Sequence, residues 1–173
     1  MGTVTYTESG LHIRLDSDQS FRFSNTTFYQ TRSGRNLKEI DFGWWDAAKN
    51  TLWLMELKGE EVWDNDGQDH LVNVLQKKTV DSLMMLAAMW SRRAPSVDLA
   101  RELPISIAEL RLDADIRLVV VIPTPQRRRP LLSAVATKLN QIMAGQIGLF
   151  GIHRVSVIDT VAAMAVGLPV TPI

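Results

Sequence analysis

The stretch TLWLMELKG, residues 51 to 59, is apolar on both faces until Glu56 interrupts it. Unbroken apolarity over a strand-length run marks a central strand covered on both sides. The preceding EIDFGWWD pairs with it as a hairpin, residues Asp46 to Asn50 making the turn. Upstream, residues 3 to 30 have β-type composition in three pieces, TVTYTE, LHIRL and FRFSNTTFY, broken by Ser-Gly and Asp-Ser-Asp turn signals. They predict two or three antiparallel strands. RSGRNLK (32–38) is a polar connection and EEVWDNDG (60–67) an acidic loop. A long helix is predicted from about Gln68 to Arg93, with Asp66 or Asp69 as its cap. SRRAPSVDLARELP is a break punctuated by Pro95 and Pro104. A second strand apolar on both faces covers 116–122, an amphipathic helix 131–144 and a further strand 151–159, and VAAMAVGL closes the chain as a short helix. The order predicts an α/β domain over residues 1–173: a central mixed sheet flanked by helices, with extra N-terminal strands.

The polar residues at the hairpin matter because of where they fall. Side chains two apart on a strand share a face, so Glu56 and Lys58 point the same way, as do Glu39 and Asp41 on the neighbouring strand. Ionised groups in such a place are costly unless paired or bound to a metal. Two carboxylates and a lysine converging at a strand end are what metal-assisted phosphodiester hydrolysis requires. On an exposed strand the same Glu-x-Lys would be a weak surface ion pair.

Asp41, a hairpin, then Glu56-Leu57-Lys58 resembles the core motif of the PD-(D/E)XK nuclease superfamily, the restriction-endonuclease-like fold. The motif covers about twenty residues, and the order of elements extends the likeness over most of the chain. The resemblance implies a Mg-dependent (or Mn-dependent) nuclease, most simply acting on DNA. Asp41 and Glu56 would hold the metal with the Leu57 carbonyl, and Lys58 would assist at the attacking water or the phosphate. Ile40 stands where the motif often has proline. The superfamily core usually opens with a helix carrying another acid; here that region reads as β, which leaves Glu8 and Glu39 as candidates for an additional ligand. Related nucleases often send a polar residue from the long helix to the site, so one of Gln76, Lys77 and Lys78 is expected there; consecutive helix positions diverge by about 100°, so not all can reach it. A compact catalytic core with little sequence for target recognition implies a homo-oligomer or a subunit of a larger complex, and the resemblance associates such cores with bacterial or phage defence. The rival is a non-catalytic nucleic-acid-binding or assembly subunit that keeps the fold.

Composition adds limits. The 173 residues are 46% hydrophobic and 22% charged, with zero formal net charge. Neutrality counts against binding nucleic acid by charge alone. It fits an acidic site offset by local basic surface, for which Arg32, Arg35 and Lys38 or Arg127, Arg128 and Arg129 are candidates for phosphate contacts. No cysteine is present, which excludes disulfides and a cysteine zinc site and is compatible with a reducing cytoplasm. The N-terminus shows no secretory pattern, and the longest apolar run, LMMLAAMW (83–90), is too short to span a bilayer, so no membrane partner is expected. His12, His70 and His153 lack zinc-ligand spacing; His70, beside the acidic loop, is a candidate neighbour of the site. The five tryptophans read as core or interface, Trp63 alone being considered for base stacking. Met84, Met85 and Met89 read as core packing, and Gly145, Gly148 and Gly151 as turns.

Overall fold

The fold is that of a computed structural model, which describes residues 2–65, 67–110 and 113–173, with Asn65 by its backbone alone. The expected capping role of Asp66 lies outside the described residues. The central sheet has five strands in the order β3(Ser20–Phe21)-β4(Phe42–Asp46)-β5(Thr51–Leu57)-β6(Asp115–Val121)-β7(Val155–Ile158). It is mixed: β3, β4 and β5 pair antiparallel, and β5, β6 and β7 pair parallel. A second, antiparallel sheet joins β1(Thr3–Glu8), β2(Leu11–Asp16) and a C-terminal β8(Val170–Pro172).

The alternation along β5 divides the core in two. Leu52 and Leu54 pack on one face with the helices α3(Gly67–Trp90) and α6(Arg129–Gly148). Trp53, Met55 and Leu57 pack on the other with Leu11, Ile13 and Leu15 of β2, Val170 of β8, and Ala163 of α7(Thr160–Ala165). Every residue of β5 is buried. Glu56 therefore emerges on the helix face, in phase with Leu52 and Leu54. Gly43 of β4 leaves room for the ring of Phe21, its cross-strand partner: a Cβ at position 43 would lie 2.1 Å from that ring.

Several expectations are corrected. FRFSNTTFY is not a strand beyond Phe21: a 3₁₀ turn at Phe23–Asn25 and a one-turn helix α1(Thr27–Gln30) follow. Its Ser, Asn and Thr residues favour local side-chain to backbone bonds over a ladder. Thr26 caps α1 by accepting from the Tyr29 amide, and the Glu102 carboxylate accepts from the Thr27 and Phe28 amides. The acidic loop contains a short helix, α2(Val62–Asn65), and the break after α3 contains α4(Val97–Glu102) and α5(Ile105–Ala108). Helix α3 stops at Trp90 because Arg92 adopts a left-handed conformation. Helix α6 runs through Gly145 and Gly148; only Gly151 is a turn with positive φ. Met84 is 63% exposed, unlike buried Met85 and Met89.

Candidate functional site

The site forms where β5 ends against α3. Asp41 is not in the strand as expected but one residue before β4. Its approach is fixed by α3. The Lys38 amide donates to Asp81 Oδ2 at 2.8 Å and the Ile40 amide to Ser82 Oγ at 2.8 Å. Two further bonds tie Asp41 to the strand end: its own amide donates to Glu56 Oε2 at 3.2 Å, and its Oδ2 accepts from the Leu57 amide at 2.8 Å. These bonds replace the ladder that strand pairing would have supplied, so Asp41 is turned toward Glu56 by backbone donors.

Glu56 is 1% exposed and Asp41 9%. Lys78 Nζ bridges them, 3.0 Å from Asp41 Oδ1 and 2.6 Å from Glu56 Oε1. The two oxygens are therefore no farther apart than those two distances together. Lys58 Nζ lies 2.7 Å from the same Glu56 oxygen. Two carboxylates and two ammonium groups thus form one nearly buried cluster with no formal net charge. Burial, and then repulsion from Asp41, push the Glu56 carboxyl up from 4.5 to about 7 against the pull of Lys78 and Lys58. Desolvation disfavours the Lys78 ammonium, but Glu56 and Asp41 outweigh it and hold its pKa above the ordinary lysine value. Burial thus favours the protonated Glu56 carboxyl, while the two carboxylates favour the protonated Lys78 ammonium.

Position 78 could have been singled out from sequence. It shares a helical stripe with Leu71, Leu75 and Ser82, all buried. A lysine on that stripe needs an acidic partner. Lys77 instead pairs with Asp81 on α3, and Gln76 is half-buried with no part in the cluster. Glu39 accepts from the Ser24 amide rather than joining the acids, and burial raises its pKa. Glu8 pairs with Arg22 at 3.2 Å.

A divalent cation fits the chemistry of the acid pair, since Mg²⁺ and Mn²⁺ prefer oxygen ligands and Mg²⁺ needs only one or two carboxylates. The Leu57 carbonyl is a third oxygen, and it accepts from Ser9 Oγ at 3.3 Å. Ser9 lies in the β1–β2 turn, which places the smaller sheet against the end of β5. Among the described residues no three His, Cys, Asp or Glu side chains gather as a metal cluster, so the acid pair stands without a third side-chain ligand.

A cleft of about 280 Å³ opens beside Lys58, between Ser9 and His70. Exposed His70 lines the same cleft as Lys58. A larger cavity of about 810 Å³ lies along β7 and α6 and contains none of these acids. The basic candidates are dispersed. Arg128 pairs with Asp64 at 2.7 Å and Arg129 with Asp159 at 2.9 Å, while Arg127 is exposed and makes no ion pair among the described residues. Arg32 bonds the Phe28 carbonyl and stacks on its ring; Arg35 and Lys38 are exposed. Trp63 is half-buried and packs against the core. No described helix is long and apolar enough to cross a membrane. No protein family, curated protein or solved structure matches this chain.

Proposed function

We propose that this chain is a metal-dependent nuclease that hydrolyses phosphodiester bonds, in DNA. The observation that carries the reading is the pairing of Asp41, just before β4, and Glu56 of β5, two buried carboxylates, around one ammonium with Lys58 alongside. Asp41, Glu56 and the Leu57 carbonyl would hold Mg²⁺ or Mn²⁺. When bound, the ion supplies charge neutralisation at the phosphate and a lowered pKa for an attacking water. Lys58, 23% exposed at its side chain and bordering the cleft, would donate to a phosphoryl oxygen as charge develops there. Burial beneath β5 and α3 keeps bulk water from the acids and fixes their orientation. The free basic residues Arg127, Arg35 and Lys38 would contact the backbone of the nucleic acid. The resemblance that motivates the reading also associates it with oligomeric assembly and a defence role in the cytoplasm.

A second reading is favoured by one feature. The carboxylates already have ammonium partners, so the cluster is also consistent with an ion-paired scaffold in a non-catalytic nucleic-acid-binding or assembly subunit. Plasmid nicking decides between the two. The wild type should nick with Mg²⁺ or Mn²⁺ and stop with chelator. Ca²⁺, larger and less demanding in geometry, should support binding with little turnover. Asp41→Ala, Glu56→Ala and Lys58→Ala should each abolish nicking in a protein that remains folded by circular dichroism. Undiminished cleavage in any two of these variants would sink the assignment.

A further inference from the structure

We infer that Lys78 is a resident counter-cation of the acid pair, which a divalent metal must displace before it can bind. The inference rests on the metal site of the nuclease reading and deepens it. Lys78 Nζ sits within 3.0 Å of Asp41 Oδ1 and 2.6 Å of Glu56 Oε1. Mg²⁺ binds oxygen at about 2.0–2.1 Å, so an ion shared by those two oxygens would occupy the space of the ammonium. The two cations exclude each other by sterics and by like charge. Lys58 does not substitute for Lys78: among the described residues its ammonium pairs with Glu56 alone. Lys78 also has somewhere to go. It is half-buried with a side chain 19% exposed, and its long stem lets the ammonium swing while the backbone of α3 stays packed. Asp81, one turn further along α3, is already engaged by Lys77 and the Lys38 amide. Both bonds fall on Asp81 Oδ2, so a displaced ammonium has Asp81 Oδ1 within the protein and, when nucleic acid is bound, the phosphate of the substrate as acceptors. Metal uptake and nucleic-acid binding are then coupled through one side chain: the phosphate draws Lys78 off the acids, and the metal takes its place. Such coupling is reciprocal, so metal should tighten nucleic-acid binding by the same factor.

Mn²⁺ binding, followed through the free-ion paramagnetic signal in the absence of nucleic acid, tests the exclusion directly. Lys78→Met and Lys78→Gln should each bind Mn²⁺ at least about tenfold more tightly than the wild type, because a unit charge has left the site. Glu56→Gln, as control, should bind more weakly. Equal affinity in the wild type and both Lys78 variants overturns the inference but leaves the nuclease reading standing; no binding to any of them overturns both. A measurement on the wild type covers the case in which the variants do not fold. With ¹⁵Nζ-lysine labelling, the ammonium signal held by the two carboxylates should fade in step with Mg²⁺ saturation. Its persistence at saturation overturns the inference.

Discussion

Replacing Glu56 by glutamine is expected to flatten the pH dependence of folding stability. The residue is 1% exposed, and its carboxyl is pushed from 4.5 to about 7, first by burial and then by Asp41. A folded-state value above the unfolded one fixes the sign. Between about pH 4.5 and 7 the folded chain retains a proton that the unfolded chain has released, so stability falls as pH rises through that window and is level above it. A rise of about 2.5 units, at 1.36 kcal/mol per unit, amounts to about 3 kcal/mol. Lys78 does not confuse the measurement: its raised value means that its stabilisation is intact below the ordinary lysine range and is lost only at still higher pH. Glu39 slopes in the same direction as Glu56, but it is present in both proteins and cancels in the difference. Urea unfolding of the wild type and Glu56→Gln in chelator at pH 5, 6, 7 and 8 gives the two profiles. Since pH 5 already lies above the unfolded value, the wild type should lose about 2–3 kcal/mol relative to the variant across that range. Parallel profiles would refute the argument that Glu56 is a desolvated, repelled acid.

The other expected outcomes concern charge and packing. Arg127→Ala should reduce the salt slope of DNA affinity by about one unit, since among the described residues it is the arginine of its cluster without an ion pair; Arg128→Ala and Arg129→Ala should change the slope less, having Asp64 and Asp159 as internal partners. Gly43→Val should cost roughly 1–3 kcal/mol in urea unfolding, because its side chain would collide with the Phe21 ring. The double replacement Glu56→Met with Lys78→Met should unfold within about 1 kcal/mol of the wild type at pH 8, or later, while abolishing nicking. A large loss of stability there would mark the cluster as a structural element.

The polar site was legible where local geometry determines it. Positions 52, 54 and 56 alternate on β5, and Lys58, one residue past its end and still bonded through its amide to the Val121 carbonyl, keeps the period that puts it on the face of Glu56. The hairpin brings Asp41 to the same strand end because Phe42 pairs with Met55. Legibility fails where a partner comes from afar. Asp64 and Asp159 neutralise arginines that look free in sequence, and Arg128 meets Asp64 across 64 positions of chain. The strand β8 is three residues long, and its identity depends on β2 being available to pair. FRFSNTTFY was misread because its aromatic content favours a strand while its Ser, Asn and Thr residues favour capping, and the carboxylates of Glu39 and Glu102 decide for the turn.

The energetics of the acid cluster also bear on why it exists. Bringing two carboxylates and two ammonium groups under a β-sheet costs desolvation, and ion pairs in such places commonly do no more than offset it. Well-packed apolar residues would satisfy β5 and α3 equally well, as Leu52, Leu54, Leu71 and Leu75 already do on either side. Glu56 interrupts that apolar row with a carboxyl that the site holds near neutrality in pKa. A fold stabilised by its charges would instead lower an acid's pKa, as the arginine partner does for exposed Asp64. The raised Glu56 value means that its two ammonium partners do not fully compensate for burial and for Asp41. Desolvation is the larger cause and the Asp41 charge the second, and a divalent cation held by both acids, as in the proposed function, would favour their ionised forms.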